Sequence, residues 1–171
     1  MFERKGVRLS APEPGCTCAL GLVVWCPRAR RFIVSDLDIP LDVLELAFGE
    51  RDTYIGQAEE LAAAAAYWTC PDVLGGTYPA HFIDNQGALG ILVRGASHHP
   101  PMGHLAHQTA LRQLELSCRV WYEYVPSKAN IADLPSRGDT RLAMRMLRDR
   151  FGVAVEARSM RLPPLRAVDG V

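Results

Sequence analysis

The stretch Pro79-Ala80-His81-Phe82-Ile83-Asp84-Asn85-Gln86-Gly87-Ala88-Leu89-Gly90-Ile91-Leu92-Val93 sets the fold class. Pro79 to Ile83 reads as a short central strand, Asp84 to Gly87 as a polar turn, and Ala88 to Val93 as an apolar helical run. Strand, turn and helix make a βα unit, the building block of an α/β sheet rather than of a bundle or sandwich. In an open α/β sheet ligands bind beyond the carboxyl ends of the strands, which is where Asp84 stands.

Upstream, Gln57 to Trp68 is rich in strong helix formers, including five consecutive alanines from Ala62 to Ala66. Small side chains let such a helix lie close against a sheet, and Glu59 and Glu60 near its start suit the helix dipole. Before it, the apolar, β-branched run Thr17 to Trp25 and the run Arg31 to Ser35 flank the turn Pro27-Arg28-Ala29-Arg30, which predicts an antiparallel hairpin. A short helix is expected within Ile39 to Phe48, beginning after Pro40.

Downstream, the loop Arg94 to Gly103 precedes a helix over Leu105 to Leu116, and Val120 to Val125 alternates as a strand that stops at Pro126. A last helix is expected from Thr140 to Arg150, and from Arg158 onward a loose tail. No internal repeat is present.

The chain has 171 residues, 49% of them hydrophobic, with 19 basic against 19 acidic side chains. That length and composition suit one domain with one core, and the zero formal charge gives no whole-protein field for nucleic acid. No apolar run approaches the roughly 18 residues of a membrane span, and no signal-peptide segment follows Met1, so the expectation is an intracellular protein with no membrane partner. The five cysteines, Cys16, Cys18, Cys26, Cys70 and Cys118, are odd in number and scattered, which fits reduced thiols. Cys16, Cys18 and Cys26 lack a fourth ligand for tetrahedral zinc. Charge is nonetheless local: Arg141, Arg145, Arg148, Arg150, Arg158, Arg161 and Arg166 face only Asp149 and Glu156 in the last stretch, a basic segment suited to non-specific nucleic-acid affinity.

Three acids stand where elements begin or end: Glu59, Asp84 and Asp133. Converging carboxylates hold Mg²⁺, a hard cation that prefers oxygen, and a pair of such ions can activate water and stabilise a leaving oxygen in phosphodiester hydrolysis. Each acid also has a plainer reading: Glu59 as a helix-start charge, Asp84 as a turn residue, Asp133 as a solvated acid or helix cap. His98, His99, His104 and His107 cluster without an acid or cysteine among them, which favours solvated or capping roles over a metal site. Trp25, Trp68 and Trp121 are expected in the core rather than as stacking platforms. Neither a phosphate-binding loop motif nor a nucleophile-elbow motif occurs.

Three blocks together resemble the ribonuclease H domain of retroelement reverse transcriptases. They are Tyr54-Ile55-Gly56-Gln57-Ala58-Glu59-Glu60-Leu61-Ala62-Ala63, then Phe82 to Leu89, then Val120 to Arg137 with its ending Asn130-Ile131-Ala132-Asp133-Leu134-Pro135-Ser136-Arg137. They come in the family's order and cover most of Leu20 to Arg137. The resemblance implies a ribonuclease H-like α/β fold with a mixed five-stranded sheet flanked by helices, residues 16–150 forming the domain between an N-terminal segment 1–15 and a C-terminal tail 151–171. It implies hydrolysis of the RNA strand of RNA/DNA hybrids with two Mg²⁺ ions, or Mn²⁺ in their place. Glu59, Asp84 and Asp133 match three of the four metal-binding carboxylates, with Glu60 the competitor of Glu59. Asn85, Gln86, Lys128, Asn130 and Arg137 then fall on the nucleic-acid side, with Arg94 and Arg119 near the crevice ends. The fourth carboxylate should be a first-strand aspartate, but Val7 to Pro14 contains none; Glu13 is the nearest acid, and Asp36 comes too late. A non-catalytic remnant that binds nucleic acid or a partner is therefore the alternative, as is a truncated or wrongly joined start. A reverse transcriptase domain, separate or lost, is the implied partner.

Overall fold

The computed structural model describes residues 17–51 and 53–165; the N-terminal segment, including Ser10, Glu13 and Cys16, lies outside them, as does Arg166. The fold is mixed α/β. β1 (Thr17–Cys26) and β2 (Arg31–Pro40) form the expected antiparallel hairpin, closed by a turn in which the Arg30 amide donates to the Pro27 carbonyl at 3.3 Å. α1 (Leu41–Phe48) follows Pro40, and then come α2 (Ile55–Thr69) and the short α3 (Pro71–Leu74). β3 (Ala80–Ile83), α4 (Gln86–Arg94) and α5 (Pro100–Glu115) lead to β4 (Trp121–Tyr124). Three 3₁₀ turns (Ser127–Ala129, Ile131–Asp133, Pro135–Arg137) precede α6 (Thr140–Phe151) and β5 (Ala154–Ala157).

The strands do not form one five-stranded sheet. Among the described residues there are two sheets, one in the order β1, β2, β5 and one of β3 with β4. β5 pairs parallel with β2, and β4 parallel with β3. No ladder joins the outer edge of β1 to β3, because no described strand lies between them; the position expected for a first strand falls in the undescribed segment. β3 is accordingly not a central strand, and Phe82 on its outward face is 57% exposed. β2 runs five residues past the expected end at Ser35, so Asp36 and Asp38 lie within it, both exposed. Residues expected in the tail supply β5 instead, and Arg158 fixes that end by pairing with Asp72 at 2.6 Å and Glu156 at 3.0 Å.

Alternation along β1 places Cys18, Leu20 and Leu22 on one face and Ala19, Gly21, Val23 and Trp25 on the other. The first face meets α2, whose alanines Ala63 to Ala66 are buried and let the helix approach closely; the main core, with Ile33, Leu44, Leu61, Tyr67 and Ile83, lies there. The second face is covered by α6 and the 3₁₀ turns through a smaller cluster of Val34, Ala143 and Leu147.

Candidate functional site

α2 begins at Ile55, so Glu59 sits a full turn inside it rather than in the first turn, which carries no acid. It is half-buried, and its Oε2 has no hydrogen-bond partner. Burial pushes its carboxyl up to about 7, the Asp84 charge adds to that, a hydrogen bond from Asn85 opposes it, and Asp133 adds again. Electrostatically, then, the three acids singled out by the sequence are neighbours.

Each is held by local chemistry. Asp84 follows the last residue of β3 and is half-buried. Asn85 caps α4: its Oδ1 accepts from the Ala88 amide at 3.0 Å, which leaves the side-chain NH₂ as the donor to Glu59. Asn130 has the same role ahead of the second 3₁₀ turn, its Oδ1 accepting from the Ala132 amide at 3.1 Å and so shaping the turn that ends in Asp133. Asp133 Oδ2 meets Arg137 Nε at 2.8 Å. Of the other residues assigned to nucleic acid, Gln86 and Lys128 are exposed, as are Arg94 and Arg119, and the Arg119 guanidinium lies 5.8 Å from the Tyr78 ring centre.

Glu60 faces elsewhere. It is 0% exposed, neither carboxylate oxygen has a partner, and burial alone pushes it up to about 8. At neutral pH it is a protonated core acid, which leaves Glu59 as the ionisable one beside Asp84. Nearby runs a polar chain that the sequence did not announce. Tyr67 Oη lies 2.9 Å from His81 Nδ1, the His81 ring also packs on Tyr122, and Gln113 donates to the Tyr122 hydroxyl. Only tertiary packing brings α2, β3, β4 and α5 together there.

The donor set suits a hard cation in kind: three carboxylates, one with a buried oxygen lacking a partner. Among the described residues, however, no three His, Cys, Asp or Glu side chains are gathered closely enough to hold a metal ion, and Asp133 is engaged by Arg137. The histidine group His98 to His107 forms no such cluster either. Cys18, Cys26, Cys70 and Cys118 are buried thiols without disulfides; burial, with Asp38 and Glu59 adding to it, pushes Cys18 up to about 11. No helix among the described residues is long and apolar enough to cross a membrane.

Two of the three tryptophans depart from the expected core positions, while Trp68 packs against the main core. Trp25 is 42% and Trp121 69% exposed, while Trp68 is half-buried under Arg112.

No protein-family model, no curated protein and no solved structure matches this chain.

Proposed function

We propose that this chain is a ribonuclease H-type domain of retroelement origin that hydrolyses the RNA strand of RNA/DNA hybrids at Glu59, Asp84 and Asp133. The observation that carries the reading is the raised Glu59 carboxyl, which responds to both Asp84 and Asp133 although the three lie far apart in sequence. Glu59 and Asp84, two carboxylates set side by side against partial burial, favour a bound cation, since a positive charge relieves both the repulsion and the desolvation. A divalent ion there supplies charge for the scissile phosphate and lowers the pKa of a bound water.

Within this reading the chain's own residues have distinct tasks. Glu59 and Asp84 are the cation-holding pair, and Asn85 orients Glu59 through an amide whose other end is fixed by the α4 cap. Arg137 aims Asp133 through their 2.8 Å ion pair until a cation competes for it. Lys128 and Gln86, exposed near the same strand ends, are placed for phosphate and sugar contacts.

The test is cleavage of a labelled RNA/DNA hybrid in Mg²⁺ and in Mn²⁺, with Asp84→Asn as the comparison. Hybrid-specific cleavage that disappears in the variant is expected; no cleavage by a folded chain in either metal rejects hydrolysis. A second reading, a non-catalytic nucleic-acid-binding domain, is favoured by the engagement of Asp133 with Arg137 and by the lack of an aspartate from Val7 to Pro14. It predicts hybrid binding without cleavage, and the same binding by Asp84→Asn.

A further inference from the structure

We infer that Trp25, Phe32 and Phe151, with the arginines around them, form a stacking platform for single-stranded nucleic acid, separate from the carboxylate site. Trp25 and Phe32 are cross-strand partners at the far end of the β1–β2 hairpin, their ring centres 4.6 Å apart. Phe151, the last residue of α6, continues the row at 5.2 Å from Phe32. The two outer rings are 42% and 56% exposed, while Phe32 between them is half-buried against the smaller core cluster and anchors the row to the sheet. Two exposed aromatic rings held on a half-buried third make a binding surface suited to a flat apolar partner.

Charge says which partner. Arg28 and Arg30 stand in the exposed turn that follows Trp25, and Arg148 and Arg150, both exposed, precede Phe151 in the last turn of α6. No described acid forms an ion pair with any of these four, whereas Arg31 and Arg158, on the other face of the same sheet, are taken up by Asp72 and Glu156. Arg141, Arg145 and Arg148 recur at helical spacing and extend the stripe along α6, its charged surface being otherwise broken only by Asp149. Aromatic faces for bases beside unpaired guanidinium groups for phosphates are the components of single-strand recognition. A duplex keeps its bases stacked inside and offers no faces to such a row.

The platform lies away from Glu59, while Asp133 is carried by the 3₁₀ turns seated on Gly21 of the same sheet face, four residues and about 13 Å along the strand from Trp25. Cys18, the neighbour of Glu59, and Trp25 are seven residues apart on β1, about 23 Å along the strand, and they point to opposite faces of the sheet. The inference therefore stands whether or not the chain hydrolyses hybrids.

The experiment is fluorescence anisotropy of a labelled single-stranded oligonucleotide of about a dozen uridines, and of the corresponding duplex, titrated with the full chain in excess chelator so that hydrolysis plays no role. Trp25→Ala and Phe151→Ala should each weaken single-strand binding roughly five- to a hundredfold, with Trp25→Phe restoring most of it. Arg148→Gln and Arg28→Gln should each flatten the slope of log affinity against log salt by about 0.7. Melting curves confirm that these exposed-site variants fold. Unchanged affinity in both aromatic variants, or a duplex bound as tightly as the single strand, overturns the inference. So does self-association, seen by light scattering, that Trp25→Ala abolishes while the oligonucleotide goes unbound.

Discussion

The Ala132 carbonyl oxygen occupies the space where a β-carbon on Gly21 would stand. A carbon built there would come within 2.6 Å of that oxygen and 3.0 Å of the Pro135 carbonyl carbon, and the Ser136 amide nitrogen is closer still. The obstacles are all backbone and cannot swing aside. A bare strand position thus seats the 3₁₀ turns directly on β1, and those turns carry Asp133 toward Glu59.

Gly21→Ala should therefore displace the turns or the strand, destabilising the fold by about 3 kcal/mol. Asp133 should move with them, lowering the midpoint of thermal unfolding and removing any stabilisation by Mg²⁺ together. A variant with unchanged melting would show that the turns are not seated as described.

Asn85→Ala removes the cap of α4 and the donor to Glu59 in one step. A loss of about 1 kcal/mol is expected from the cap. Without the donor the Glu59 carboxyl should titrate above 7, since the hydrogen bond is what lowers it. Asn85→Asp would keep the cap but place a negative charge beside Glu59. Carboxyl titration by NMR on the two variants separates the contributions.

Glu60 links stability to pH in the less common direction for an acid. Its folded pKa, about 8, lies above the usual 4.5, so the ionised form is penalised by burial and stability falls as pH rises from about 5 to 8. Glu60→Gln removes that penalty and should gain about 4 kcal/mol at pH 8 and less than about 1 kcal/mol at pH 5, in denaturant unfolding followed at the two values. Equal effects at both pH values would mean that Glu60 is not the buried titrating group.

His81 acts from the acid side. Its ring is enclosed by Tyr67 and Tyr122, and burial lowers its pKa from 6.5 to about 4. The unfolded chain therefore binds the proton more readily, and stability is lost as pH falls from about 6.5 toward 4, by up to about 3 kcal/mol. His81→Gln, which keeps a hydrogen-bonding side chain for the Tyr67 hydroxyl, should flatten this acid limb. Persistence of the full limb would assign it to another group.

How far each element was legible depends on what its own residues can encode. α2, α4 and α6 were legible because helix propensity and turn punctuation are local, and the β1–β2 hairpin because its two runs flank a turn; α5 was legible except at its start, where Pro100 and Pro101 read as loop but open the helix at its first turn. β5 was not, since Ala154–Ala157 is four residues of mixed character and becomes a strand only through its pairing with β2. Tertiary pairing also decided that, among the described residues, β3 stands at an edge and the strands form two sheets.

Residue types and spacing in the sequence by themselves singled out Glu59, Asp84 and Asp133, and the family resemblance preferred Glu59 to its neighbour. Tertiary structure alone decided what those side chains feel. Burial and approach across elements raise Glu59 through Asp84 and Asp133, bring Arg137 onto Asp133, and enclose Glu60 without a partner. They also turn Trp25 outward beside Phe32 and Phe151, on the sheet face that α6 leaves open at its end. The physical reason is range. Propensity and periodicity act over a few residues of chain, whereas desolvation and Coulomb interaction depend on distance in space, which no linear spacing records.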